Sequence, residues 1–119
     1  MDKRKQLGRR GESLAASYLT GKGYTIIERN WRCPAGELDL VAQLGDTLVF
    51  VEVRTRRGIR FGSPEASITP AKQTRLIELA QTYLQQTPLS YQTCRIDVIA
   101  IHLDSGSSQI NHIENAVGW

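Results

Sequence analysis

The sequence predicts an α/β fold, because apolar residues recur with two different periods along its 119 residues. Helical spacing marks two amphipathic segments, and alternating or continuous apolar runs mark strands between and after them. The resulting order is helix, three strands, helix and strand, followed by a last edge strand. A chain of this length falls in the usual range for one domain, so we expect a single domain over residues 1–119.

The first helix is predicted over about Lys5–Thr20, where apolar residues recur at helical spacing and a glycine follows. Glu12 lies at the edge of the apolar stripe, so its carboxylate can turn toward the end of a sheet. The alternative is that Glu12 only favours the positive end of the helix dipole. Gly8 and Gly11 would let backbone N–H groups approach a phosphate.

Three strands are predicted next, over Tyr24–Arg29, Glu37–Gln43 and Leu48–Arg54. Residues 30–35 are expected to form the connection between the first two strands. Gly45-Asp46 joins the second and third, because glycine suits the first central position of a type II′ hairpin turn. Alternation along the second strand predicts one shared face for Leu38, Leu40 and Ala42.

The hairpin turn sets the pairing of the second and third strands. With Gly45-Asp46 as the two-residue turn, Asp39 lies across from Glu52, and Glu37 lies across from Arg54. A turn moved back by one residue would face Glu37 with Glu52, but it would force Leu44 into positive φ. We therefore expect the first pairing.

Two carboxylates placed directly opposite each other repel unless something compensates for the charge. A divalent cation would do so, and hard oxygen ligands suit Mg²⁺ or Mn²⁺. The alternative is that Asp39 and Glu52 are surface acids neutralised by weak ion pairs with neighbouring side chains.

The second helix is predicted to begin at Thr69-Pro70, with threonine as the cap and proline at the first helical position. Lys72 and Gln73 fall on the apolar side of this helix, so both should point toward the sheet. The alternative for Lys72 is that its long side chain reaches back to solvent. A helical connection predicts that the next strand, Arg95–Leu103, runs parallel to an earlier one.

Asp97 interrupts this apolar strand, and we expect it to pair with Arg95 on the same face. Residues 104–108 form a turn, and Gln109–Glu114 is the expected edge strand. His102 and His112 have no partner motif, so structural roles are expected for both. Cys33 and Cys94 lack the spacing of a zinc site or a stabilising disulfide.

The positive charge is concentrated in one half of the chain. Residues 1–60 contain 12 lysines or arginines and 7 acidic residues, whereas residues 61–119 contain 3 and 5. Clustered cations neutralise phosphates and aromatic rings stack on bases, so a nucleic-acid partner is expected. The alternatives are a solvated surface or an acidic protein partner. The predicted nucleic-acid contacts are Arg9, Arg10, Arg32, Arg56, Arg57, Arg60 and Phe61.

Neither a long apolar run nor a leader of the secretory kind is present, so a cytoplasmic protein without a membrane role is expected.

Several short motifs together resemble one family over almost the whole chain. An acid in the first helix, an aspartate in the second strand and Glu-x-Arg in the third resemble the PD-(D/E)XK restriction-endonuclease-like superfamily. Within it, the chain is similar to the YraN-like bacterial family, which is related to Holliday junction resolvases. The motifs are Gly11-Glu12, Arg29-Asn30-Trp31-Arg32, Gly36-Glu37-Leu38-Asp39-Leu40, Val49-Phe50-Val51-Glu52-Val53, Phe61-Gly62-Ser63-Pro64, Lys72-Gln73 and Arg95-Ile96-Asp97-Val98.

The resemblance implies a restriction-endonuclease-like αβββαβ core, in which a mixed central sheet is flanked by helices. It also implies a Mg²⁺- or Mn²⁺-dependent endonuclease acting on DNA, including branched intermediates. The superfamily's active-site positions fall on Glu12, Asp39, Glu52 and Gln73. A homodimer is implied only by analogy with the junction resolvases.

The expected metal ligands are Asp39, Glu52 and the Val53 carbonyl, with Glu12 at a second metal or a water. Arg54 stands where the superfamily has lysine, and arginine cannot serve as a general base. Either the metal alone activates water, or Lys72 supplies the missing amine. The second hypothesis is a nucleic-acid-binding module on the nuclease scaffold with little or no catalytic activity.

Overall fold

The computed structural model describes residues 3–58, 68–87 and 93–119. Two helices and five strands follow one another in the predicted order. Their bounds are α1 (Lys3–Gly21), β1 (Thr25–Cys33), β2 (Gly36–Leu44), β3 (Thr47–Arg57), α2 (Pro70–Gln86), β4 (Thr93–Asp104) and β5 (Ser107–Val117).

The five strands form one mixed sheet in the order β1-β2-β3-β4-β5. β3 and β4 are parallel, and the other neighbouring strands are antiparallel. The predicted parallel placement of β4 and the predicted edge position of β5 are both confirmed.

Each helix covers one face of the sheet. α1 packs Ala15 and Leu19 against residues such as Val49 and Val51, whereas α2 packs Leu76 against Leu48 on the other face. Alternation along β3 therefore sends neighbouring residues into two different cores. Because Glu52 follows Val51, its side chain belongs to the face that α2 covers.

α1 approaches the sheet most closely at Gly11. A Cβ atom at this position would lie 1.8 Å from the Thr55 hydroxyl oxygen of β3, so only glycine fits. Gly8, one turn earlier, has open space where its Cβ would be. Gly11 therefore has a packing role, because a side chain there would meet Thr55 of β3. The approach of a phosphate to the backbone at Gly8 and Gly11 stays a prediction.

β1 is longer than predicted, because residues 30–33 continue the strand instead of forming a connection. Asn30 adopts a φ of 55°, which asparagine tolerates better than most residues. The pairs on either side of Asn30 are Arg29 with Leu40 and Trp31 with Leu38.

The predicted face along β2 is also partly wrong. Leu40 and Ala42 pack under α1 as expected, but Leu38 packs on the α2 side together with Val41. The alternation of faces along β2 is therefore broken between Leu38 and Leu40, whose β1 partners Trp31 and Arg29 lie on either side of the left-handed Asn30.

β3 is also longer than predicted. Arg56 and Arg57 do not begin a loop, because they pair with His102 and Leu103 in β4. Parallel pairing with β4 extends the strand beyond the apolar run from which its end was predicted. Arg60 and Phe61 lie outside the described residues.

The start of α2 confirms the sequence prediction. The Thr69 hydroxyl accepts a hydrogen bond from the Lys72 backbone N–H at 3.2 Å, and Pro70 occupies the first helical position. This cap fixes the first turn of the helix, which contains Lys72 and Gln73.

Among the residues that the structure describes, no helix combines the length and the apolar character needed to cross a membrane.

Candidate active site

The predicted hairpin register is confirmed. Leu44 pairs with Thr47, and the ladder continues to Leu40 opposite Val51. Gly45, the first turn residue, has a φ of 59°. The next step of this register brings Asp39 of β2 beside Glu52 of β3.

Asp39 is held by the backbone of β3 as well as by its own strand. Its Oδ2 accepts a hydrogen bond from the Val53 N–H at 2.8 Å. Burial, with the nearby Glu52 carboxylate adding to it, raises the pKa of Asp39 to about 8. The Asp39 carboxyl therefore keeps its proton at neutral pH. We refer to Asp39 and Glu52 as the acid pair.

Glu52 is buried and contacts two cationic side chains. Its Oε2 lies 3.3 Å from the Arg54 Nε and 3.4 Å from the Lys72 Nζ. The Lys72 side chain therefore points toward the sheet, as its position on the apolar side of α2 led us to expect, and not back to solvent. Arg54 contacts Glu52 of its own strand, whereas Glu37 pairs with Arg32 of β1 at 3.4 Å. The prediction that Glu37 faces Arg54 is not supported by these contacts.

Arg54 has an unsatisfied donor at this site. Its Nε is buried and lacks a hydrogen-bond partner within the described ranges, because the contact with Glu52 has unfavourable geometry for a hydrogen bond. A buried donor without an acceptor costs free energy. An oxygen ligand bound beside Glu52 would satisfy it.

Glu12 approaches the acid pair from α1. Burial raises its pKa, and the carboxylates of Glu37 and Glu52 act in the same direction. A hydrogen bond from the Asn30 side chain and the charge of Arg29 oppose that rise. The packing of Gly11 on Thr55 sets the position of α1, and so the position of Glu12.

Asn30 is a site residue that sequence reasoning missed. It binds Glu12 and lies between two residues of β1 that pair with β2. An asparagine in a segment without regular alternation was the available signal, because asparagine tolerates positive φ.

Gln73 lies one strand away from the acid pair. Its amide donates to the Ile68 carbonyl at 3.2 Å, and it lines a cavity of about 170 Å³ with Val98 and Ile113. Val98 of β4 is the parallel partner of Glu52. Gln73 is therefore near the site but is bound to the backbone at the start of its own helix.

The acid pair offers two side-chain carboxylates to a metal ion. Within residues 3–58, 68–87 and 93–119, no three histidine, cysteine or acidic side chains are grouped as they would be around a metal ion. Two carboxylates plus waters and phosphate oxygens are nevertheless a common ligand set for Mg²⁺. Asp39 and Glu52 provide such a pair.

Two grooves flank the first turns of α1. The Glu12 groove has a volume of about 420 Å³ and contains three of the basic residues near the acid pair. Its lining residues are Lys5, Gly8, Arg9, Glu12, Asn30, Arg32 and Glu37.

The Arg57 groove has a volume of about 500 Å³, and the described residues that line it include no acid. It is lined by Lys3, Arg4, Gln6, Leu7, Arg10 and Arg57. Four predicted nucleic-acid contacts thus line the two grooves, Arg9 and Arg32 in one and Arg10 and Arg57 in the other. Arg56 instead donates to the Thr55 carbonyl at 3.0 Å.

A second polar cluster lies away from the acid pair, around Asp97. This buried carboxylate accepts from Arg95 at 3.0 Å and from the Asn115 N–H at 2.9 Å. The His112 Nε2 is 2.7 Å from it, and the His112 Nδ1 is 3.3 Å from the Tyr18 hydroxyl. The predicted Arg95–Asp97 pair is confirmed, and the cluster ties β5 to β4.

The model of the uncharacterised protein family UPF0102 matches residues 11–101, a range that includes Glu12, Asp39, Glu52 and Lys72. The chain belongs to the UPF0102 family. This confirms the predicted YraN-like family.

Relatives within the UPF0102 family match the chain over nearly its whole length. A UPF0102 protein of Syntrophomonas wolfei is 51% identical over 112 residues, covering 94% of this chain and 97% of the relative. One from Dehalococcoides mccartyi is 45% identical over 115 residues, covering 97% of this chain and 95% of the relative. One from Rhodococcus opacus is 48% identical over 111 residues, covering 92% and 94%.

A solved structure of SfsA from Pyrococcus furiosus in complex with Ca²⁺ also matches this UPF0102 chain. The TM-score is 0.34 at 13% sequence identity, and the match covers 98% of this chain and 65% of SfsA. A likeness of this degree supports no conclusion about the chain.

Proposed function

We propose that this UPF0102 protein is a Mg²⁺- or Mn²⁺-dependent endonuclease of the PD-(D/E)XK type that hydrolyses phosphodiester bonds in DNA. The observation that supports the proposal most is the acid pair, because Asp39 is held against Glu52 although burial and charge oppose its ionisation. Phosphoryl transfer requires a cation site beside positive side chains. The two acids next to Lys72 and Arg54 match this requirement.

The residues present fit a divalent cation. Asp39 and Glu52 would hold it, together with the Val53 carbonyl. Burial first and repulsion by Glu52 second raise the pKa of Asp39, and a cation would relieve the repulsion. When bound, the metal supplies an activated water and neutralises charge on the phosphate. The Val53 N–H keeps the Asp39 carboxylate aimed at this position.

The chain's own cations would act on the scissile phosphate. Arg54 keeps a buried Nε–H without an acceptor in the described structure, and a phosphate oxygen is a suitable acceptor for it. Lys72 lies 3.4 Å from Glu52, so its ammonium group can stabilise negative charge that develops on the phosphate. Lys72 thereby takes the place of the lysine that β3 lacks.

Glu12 would complete the site from the side of α1. Its raised pKa makes it a suitable group to hold a water or a proton beside the phosphate, and Asn30 keeps its carboxylate in place. Gln73 would orient α2 through its bond to Ile68, and its free amide atoms would reach the bound nucleic acid.

One observation favours the alternative, a nucleic-acid-binding module without catalysis. Glu52 already contacts two cations, Arg54 and Lys72, so its charge is compensated without a metal. In that case the basic grooves would bind nucleic acid while the acid pair only supports the fold.

Cleavage and metal binding together test the proposal. The pure protein is incubated with linear, single-stranded and four-way-junction DNA, with Mn²⁺ or with EDTA, and its melting temperature is measured under the same conditions. We expect cleavage only with Mn²⁺ and a rise in melting temperature, because a ligand that binds only the folded state stabilises it.

The Asp39→Asn variant is expected to lose both cleavage and the metal-induced shift while it remains folded. The matched control is Asp46→Asn in the exposed hairpin turn, which should behave as the wild type. Equal stabilisation of wild type and Asp39→Asn by Mn²⁺, without cleavage of any substrate, would contradict the proposal and favour the binding module.

A further inference from the structure

The two grooves beside α1 lie on opposite sides of this helix. At 100° per residue, Lys5, Arg9 and Glu12 share one side of it, whereas Lys3, Leu7 and Arg10 share the other. The groove linings agree with this division, since the Glu12 groove contains the first set and the Arg57 groove contains the second. α1 therefore separates two basic surfaces.

The two grooves differ in their charge. The Glu12 groove mixes three basic residues with Glu12 and Glu37. Glu12 interacts electrostatically with both members of the acid pair. Among the described residues, the Arg57 groove is lined by four basic residues and no acid. An adjoining space of about 300 Å³ beside the β4–β5 turn is also lined by Arg10 and Arg57, together with Asp104. The second groove therefore has the charge of a phosphate site but lacks the catalytic acids.

The first two turns of α1 are largely exposed, although Leu7 packs against the core under the helix. Gly11 is the first fully buried residue of the helix, and the residues before it are exposed or half-buried. Two helical turns therefore separate the two grooves, and both sides of these turns are accessible. An α-helix with side chains is about 10–12 Å across, and the major groove of B-form DNA is about 12 Å wide.

We propose that the first two turns of α1 enter the major groove of B-form duplex DNA, with one backbone in the Glu12 groove and the other in the Arg57 groove. The backbone in the Glu12 groove is the strand presented to Asp39 and Glu52. Arg10 and Arg57 bind the phosphates of the opposite strand. This inference rests on the proposed function for the role of the acid pair, and it specifies the substrate class of that site.

The same geometry excludes double-stranded RNA as the preferred ligand. The major groove of an A-form helix is deep and narrow, so neither α1 nor its side chains can enter it. A single strand has one backbone, so it can occupy the Glu12 groove while the Arg57 groove stays unused. The binding of duplex DNA should therefore depend on Arg10 and Arg57 more than the binding of single-stranded DNA does.

Fluorescence anisotropy in EDTA tests this inference without any cleavage. The probes are a labelled DNA duplex, an RNA duplex of the same sequence and the single DNA strand. The Arg10→Ala/Arg57→Ala variant should bind the DNA duplex at least tenfold more weakly and flatten its log K against log salt slope by about 1.8, about 0.9 per phosphate contact. Its affinity for the single strand should change less than threefold.

The Lys22→Ala/Arg75→Ala variant is the matched control, because it removes the same charge at positions outside the linings of both grooves. Equal loss of duplex and single-strand binding in Arg10→Ala/Arg57→Ala, or wild-type affinity for the RNA duplex equal to that for DNA, would overturn the inference. If the proposed function fails while this inference holds, the variants would show the expected pattern of duplex binding, but Mn²⁺ would produce no cleavage.

Discussion

Gly11 of α1 lies so close to Thr55 of β3 that a Cβ atom on Gly11 would be 1.8 Å from the threonine hydroxyl oxygen. The next residue, Glu12, reaches the acid pair, and Arg10 before it lines the Arg57 groove. One close contact thus fixes the height of α1 over the sheet and the position of both side chains.

Gly11→Ala should destabilise the protein by about 1–3 kcal/mol, because the added methyl group forces α1 away from β3. Urea unfolding measures the loss. Gly8→Ala is the control on the same helix, where open space surrounds the new Cβ, and it should be neutral or stabilise by up to about 1 kcal/mol. Similar effects of the two variants would contradict the close packing.

The raised pKa of Asp39 predicts that stability falls as the pH rises. The folded state keeps the Asp39 proton up to about pH 8, whereas the unfolded chain loses it near its ordinary value of 3.8. Between these values the folded protein binds more protons, so each step upward in pH lowers the free energy of unfolding.

Melting temperatures between pH 5 and pH 8.5 in EDTA measure this effect. Asp39→Asn resembles the protonated acid, so it should melt above the wild type at pH 8 and approach it toward pH 5. Asp46→Asn, on the exposed turn of the same hairpin, should retain the slope of the wild type. A wild-type slope in Asp39→Asn would show that another group titrates.

Lys72 and Arg54 make separable contributions to cleavage. Lys72→Ala should lower the rate by about 10²-fold or more, because it removes a cation that acts on charge developing in the transition state. Arg54→Lys should preserve or increase the rate, because it restores the amine that the superfamily has in the third strand.

Single-turnover assays with Mn²⁺ provide the comparison. Arg75→Ala is the control on α2, since its guanidinium donates to the Ala35 carbonyl at 3.1 Å and makes no contact with Glu52 in the described structure. An unchanged rate in Lys72→Ala would assign the chemistry to the metal alone.

Asp97 is expected to be the most sensitive residue for stability outside the apolar core. Asp97→Ala leaves the Arg95 Nε and the Asn115 N–H without their acceptor, and removing one member of a buried ion pair costs about 3–5 kcal/mol. Urea unfolding of Asp104→Ala, at the exposed end of the same strand, should show almost no loss.

The double variant Arg95→Met/Asp97→Leu separates charge pairing from packing. It removes both charges but leaves the Asn115 N–H without its acceptor, so it should recover part of the stability that Asp97→Ala loses. If Asp97→Ala has the same urea midpoint of unfolding as the wild type, the Asp97 cluster does not hold β5 on the sheet.

The central hairpin was predictable because its geometry is local. A glycine at the first turn position and alternation on both sides determine the register, and the register brings Asp39 to Glu52. The cap of α2 was predictable for the same reason, since Thr69 and Pro70 act within one helical turn.

The features that the sequence did not predict all depend on contacts between distant parts of the chain. The position of Asn30 depends on β2 and on Glu12 of α1, and the length of β3 depends on pairing with β4. The Asp97 cluster needs an irregularity in β5 that aims the Asn115 N–H at the carboxylate. Local periodicity contains no information about such partners.

The parallel pairing of β3 with β4 has a consequence for the order in which the chain folds. Hairpin contacts such as Leu44 with Thr47 close short loops, whereas Thr47 and Thr93 are 46 positions apart. Because loop closure costs more entropy for distant contacts, we expect the β2–β3 hairpin to form before α2 and β4 dock. Asp39 and Glu52 then meet early, and Lys72 reaches them only in the last stage of folding.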